Sequence, residues 1–128
     1  MITDEVGQAL EALRREFGGQ TNHTETGDGG AHVRIPAIKL GAPYAQDESW
    51  FAFTLTYLHP YGDVYPIFVR PDLSRLDGTA LVSPIHINNA FQGEPAVMVS
   101  RRTKLFGPGY PVDPVLKLLK VRQWMISQ

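Results

Sequence analysis

Hydrophobic residues at the start of the chain recur at three- and four-residue steps. Ile2, Val6, Ala9, Leu10, Leu13 and Phe17 fall on one stripe of a helix. Thr3 or Asp4 can accept hydrogen bonds from the first free amides, and Gly18-Gly19 permits the left-handed residue that ends a helix, so the pattern predicts about four helical turns. The segment from Gln20 to Gly30 is polar and glycine-rich, with Gly27-Asp28-Gly29-Gly30 as a turn signal, and reads as a loop. From Ala31 to Leu40 the period becomes two: Val33, Ile35 and Ala37 alternate with His32, Arg34 and Pro36. Pro36 has no amide to donate, which predicts either an edge strand or a bulge. Trp50 to Leu58 is aromatic, β-branched and nearly free of charge, the pattern of a central strand. A turn at Pro60-Tyr61-Gly62-Asp63 then predicts a hairpin with a strand from Val64 to Val69.

Beyond this hairpin the pattern weakens. Arg70 to Phe91 carries Pro71, Pro84 and an Asp77-Gly78 turn pair and reads as irregular, while Pro95 to Ser100 holds a short apolar run compatible with a strand or an extended segment. Glycines and prolines from Gly107 to Pro111 interrupt the chain before Asp113-Pro114, a cap and first-turn pair. Val115, Leu116, Leu118, Leu119, Val121, Trp124 and Met125 predict a second helix with a broad apolar face. Consecutive strands with short turns, flanked by helices, favour an α+β fold with antiparallel pairing. No internal repeat divides the chain, and residues 1–128 read as a single domain.

Composition narrows the chemistry. With 43% hydrophobic residues among 128, the chain can bury a continuous core without staples. It contains no cysteine, so disulfides, thiolate metal sites and thiol nucleophiles are excluded together. Twelve basic and 13 acidic residues give a net charge of −1, which provides no global field for nucleic acid or an anionic membrane. The start is acidic and amphipathic, unlike a signal peptide, and no apolar run approaches the roughly 20 residues of a membrane span. The expectation is a cytoplasmic protein.

Three local motifs then line up in order. Tyr65-Pro66 is followed by Pro71; His86-Ile87-Asn88 is followed by Gly93 and Ala96; and Asp113-Pro114 precedes Val115-Leu116-Lys117-Leu118-Leu119. Together they resemble the ubiquitin-conjugating enzymes, in which a Tyr-Pro leaves the third strand, a His-Pro-Asn turn leads to a glycine and the thioester cysteine, and a helix follows. The resemblance implies an N-terminal helix, an antiparallel four-stranded meander and a C-terminal helix. Ile87 stands where the family has proline, and Ala96 stands at the cysteine position, where a methyl group cannot form a thioester. The resemblance is therefore to the cysteine-less variants of the family. It implies a non-catalytic adaptor that needs no cofactor and binds a ubiquitin-like modifier or another conjugation-pathway protein. Its expected contact residues are Tyr65, Pro66, Pro71, His86, Asn88, Arg101 and Arg102.

Other constellations are weighed beside this one. Ser100-Arg101-Arg102-Thr103-Lys104 is a basic cluster whose arginines suit a carboxylate or phosphate, although a solvated strand end explains it as well. His23, His32, His59 and His86 lack the spacing that pairs two metal ligands on one element, so no metal site is expected. His86 and Asn88 also suit a plain role, satisfying backbone groups of a loop. Alternation predicts Trp50, Ala52, Thr54 and Thr56 on one face of the central strand and Phe51, Phe53, Leu55 and Tyr57 on the other. Two alternatives stay open: an enzyme of another class using His86 as general acid or base with Asp72 or Asp77, and a structural subunit that mediates oligomerisation.

Overall fold

A computed structural model describes residues 1–128. Two helices and six strands follow the order α1 (Asp4–Phe17), β1 (Asn22–Glu25), β2 (Ala31–Lys39), β3 (Glu48–Leu55), β4 (Ile67–Val69), β5 (Ile85–Phe91), β6 (Glu94–Val99), α2 (Pro114–Ile126). The strands form one antiparallel sheet in the order β1-β2-β3-β4-β6-β5. The α+β class holds. The expected four strands become six, because two segments read as loops are strands.

The first lies in Gln20 to Gly30, where Asn22–Glu25 pairs with Ala31–Arg34 of β2. It is almost wholly exposed and polar, so it carries no alternating apolar signal. The second is β5, inside the stretch read as irregular. It forms a hairpin with β6 across Gln92-Gly93, whose positive φ values of 50° and 79° give the two-residue turn that suits the strand twist. A bulge between His86 and Asn89, with Asn88 at φ 62°, breaks the alternation of β5 and hides it from pattern reading.

Other boundaries shift for simple reasons. β4 is only Ile67–Val69, bracketed by Pro66 and Pro71, neither of which can donate to a ladder. β3 ends at Leu55, leaving Tyr57 beyond the strand and exposed. β2 is an interior strand, so Pro36 is accommodated by the bulge option: register shifts between Ile35, opposite Phe51, and Ile38, opposite Ser49.

Val33, Ile35, Phe51, Phe53, Leu55, Ile67, Val69, Val97 and Val99 line one face of the sheet and pack with Val6, Leu10 and Leu13 of α1 and Leu118, Val121 and Met125 of α2 in one core. Both helices thus cover the same face. On the opposite face only a small cluster forms, Ala52, Phe91 and Ala96, flanked by Trp50 and Phe68. No helix of the chain is long and apolar enough to cross a membrane.

The buried stripe of α2 is narrower than the sequence suggests. Pro114, Lys117, Leu118, Val121 and Met125 are buried, whereas Leu116 and Leu119 face outward. Asp113 caps the helix by accepting from the amides of Val115 and Leu116 at 2.9 and 3.2 Å. The C-terminal end is tied to the rest of the fold by Tyr44, whose hydroxyl donates to the Met125 carbonyl at 2.9 Å.

Candidate functional site

The most chemically loaded place in the molecule lies where the chain leaves β6 and runs beside α2. Lys117 projects from the first turns of α2 into this junction, and its side chain is only 8% exposed. Its Nζ donates to the Arg101 carbonyl at 2.6 Å and to Thr103 Oγ1 at 2.9 Å, with Asp63 Oδ1 at 3.4 Å. Asp63, from the loop before β4, also accepts from the amide and hydroxyl of Thr103 at 2.8 and 2.7 Å. Three segments distant in sequence are thereby pinned around one buried ion pair. Burial alone would raise the Asp63 carboxyl, but the Thr103 and Lys117 donors outweigh it and hold its pKa below the usual 3.8. Burial dominates at Lys117, whose amine titrates below its ordinary value despite the Asp63 charge.

Pinning residues 101–103 fixes the side chains around them. The Arg101 guanidinium lies 4.6 Å from the Trp124 ring centroid, and that of Arg102 lies 4.1 Å from the Tyr65 ring. Arg101, Arg102, Lys104 and Lys120 surround a concavity of about 310 Å³ whose apolar wall is Leu105, Val121 and Trp124. None of these four cations has a carboxylate partner, since the ion pairs of the chain lie at Met1–Glu25, Arg34–Glu94, Arg70–Asp72, Arg75–Asp77 and Asp63–Lys117. In a chain of net charge −1 this is a concentrated positive surface.

The structure therefore brings together three of the residues singled out from sequence, Tyr65, Arg101 and Arg102. Pro66 is half-buried beside Tyr65. Pro71 lies apart, at the far end of β4, where it lines a separate concavity with Arg70 and Trp50. His86 sits on β5 opposite Met98, and Asn88 is exposed in the bulge. Ala96 pairs with Asn89 and is 2% exposed in the cluster with Ala52 and Phe91. The position matched to the family cysteine is thus covered, on a strand of the sheet rather than in an open cleft. His86 makes no side-chain hydrogen bond or ion pair; Asp72 is held by Arg70 at 2.6 and 2.8 Å and Asp77 by Thr79 at 2.7 Å, so neither carboxylate orients it.

Sequence reasoning did not single out Asp63, Lys117, Lys120 or Trp124 as site residues, and it named Thr103 only as a member of the basic cluster. One signal was present: Lys117, Lys120 and Trp124 are spaced by three and four, the spacing of one helix face. Nothing local marks Lys117 as buried. The four histidines are scattered, His23 against Arg14 at 3.0 Å and His32 against Thr54 at 2.8 Å, and no group of His, Asp and Glu could hold a metal ion. Comparison with family models, characterised proteins and solved structures finds no significant match to this chain.

Proposed function

We propose that this chain is a non-catalytic binding module of the ubiquitin-conjugating type, which holds a ubiquitin-like protein or another conjugation-pathway protein as an adaptor. The observation that carries the reading is the groove at the β6–α2 junction. It gathers four cations without carboxylate partners beside two aromatic rings, and two of those cations, with Tyr65, are among the contact residues expected from the sequence. Such a surface is built to grip: Arg presents planar, bidentate donors, and stacking on a ring reduces the freedom it loses on binding. Catalysis has less support. The chain has no thiol, and the one histidine within the motif lacks an orienting carboxylate. The order of α1, an antiparallel four-stranded meander from β1 to β4, and a helix packed on the same face as α1 is compatible with the family plan, with the β5–β6 hairpin as an addition.

A titration of the isotope-labelled chain with candidate ubiquitin-like proteins tests this reading. Saturable amide shifts at residues 101–105, Tyr65 and α2 are expected, with affinity in the micromolar range typical of transient contacts. Absence of shifts up to about millimolar partner, a binding energy near 4 kcal/mol, would rule the reading out.

A further inference from the structure

We infer that the groove along α2 receives an extended, acidic segment of a partner protein, with apolar side chains interspersed among its carboxylates. This rests on the reading of the chain as a protein-binding module and names the chemistry of the segment it grips.

Three observations carry the inference. The first is shape. The basic concavity shares Lys117, Lys120, Thr103 and Leu105 with a second one, of about 250 Å³, that reaches Leu116 and Asp113 at the start of α2. At its other end it shares Trp124 with a third, of about 330 Å³, that reaches Gln128. Together they run the length of a 13-residue helix, about 20 Å at 1.5 Å per residue. About six residues of extended chain match that length.

The second is charge distribution. Arg101 and Arg102 are consecutive, yet one lies against Trp124 of α2 and the other against Tyr65, so their positive ends have different neighbours and do not converge on one ring. Lys104 and Lys120 line the same concavity. A single phosphate is best held by donors that converge on one point, whereas separated carboxylates along a strand suit separated cations. The Lys117 ammonium, which would be the natural focus, is consumed inside by Asp63, Thr103 and the Arg101 carbonyl.

The third is the apolar content. Leu105 and Leu116 are 59% and 48% exposed at one end, with the partly buried Trp124 ring near the other. An extended segment whose side chains alternate can set carboxylates against the cations and apolar groups against these patches.

The test uses the whole chain and a capped eight-residue peptide of alternating Glu and Leu. The expected result is saturable binding with amide shifts confined to residues 101–105 and α2, weakened at least tenfold by replacing every Glu with Gln. Lys120→Glu and Arg102→Glu should each weaken it by roughly tenfold, while Arg15→Glu on α1, an equal charge change elsewhere, leaves it unaltered. Equal binding of the Gln peptide, equal loss in Arg15→Glu, or stronger binding by pyrophosphate or a single-stranded oligonucleotide would overturn the inference. The two proposals separate cleanly. A ubiquitin-like protein that shifts the groove residues while the Glu-Leu peptide does not bind keeps the adaptor reading and removes the acidic-segment inference; peptide binding without any ubiquitin-like partner does the reverse.

Discussion

Removing an ammonium from water costs several kcal/mol even after relaxation, and Lys117 offsets that cost with three oxygens at the β6–α2 junction. The side chain of its counter-charge, Asp63, is 5% exposed. Taking away one partner leaves the other buried and uncompensated, so Asp63→Ala should destabilise the fold by about 3–5 kcal/mol in urea denaturation. Adding Lys117→Met should recover part of the loss, because the orphaned charge goes with it. His59 offers a pH-dependent counterpart. Burial lowers its pKa, against the weaker opposing pull of Asp113 and Glu5. The unfolded chain therefore takes up this proton first: stability is undiminished above the ordinary 6.5 and declines as pH falls from there toward the lowered folded value. Denaturation midpoints measured from about pH 7 to pH 5 should show that decline, and His59→Gln should flatten it.

Among the elements, the amphipathic helix α1 was legible almost to the residue. Thr3 accepts from the Val6 amide at 3.1 Å and Gly18, at φ 112°, ends it, as their residue types imply. Strands with one buried face were legible too, β3 most of all. β1 was not, because an exposed edge strand is defined by its ladder to β2 and not by its own side chains. The turn that joins it to β2 passes close to the end of β3, which makes a test of the hairpin. A methyl group added at Gly30 would stand 2.5 Å from the Leu55 carbonyl oxygen, whereas one at Gly19 would meet nothing within 4 Å. Gly30→Ala should therefore cost about 1–3 kcal/mol through forced displacement. Gly19→Ala should be neutral or slightly stabilising by thermal melting, since it only restricts the unfolded chain.

At the scale of the molecule, the two faces of the sheet carry different energetic weight. Phe53 lies fully buried in the core between sheet and helices, so Phe53→Ala should cost about 3–5 kcal/mol. Phe91, 8% exposed over Ala52 and Ala96 on the uncovered face and flanked by the His32 and Phe68 rings, belongs to a cluster of three buried residues rather than to the main core, and Phe91→Ala should cost less in the same denaturation series. Ala96, 2% exposed, belongs to this smaller cluster.

The chain by itself determined the class of fold, the placing of both helices and the identity of the central strand. Each depends on a periodicity or a cap that acts within a few residues. It also determined that thiol chemistry is impossible. Only the tertiary structure decided that His86 and Ala96 lie in a hairpin of the sheet, while Arg101, Arg102 and Tyr65 meet Lys117, Lys120 and Trp124 beside α2. The physical reason is that strand register and buried ion pairs are contacts between segments far apart in the chain. Asp63 and Lys117 are 54 positions apart, and no local pattern records which distant partner will satisfy a charge once water has been excluded.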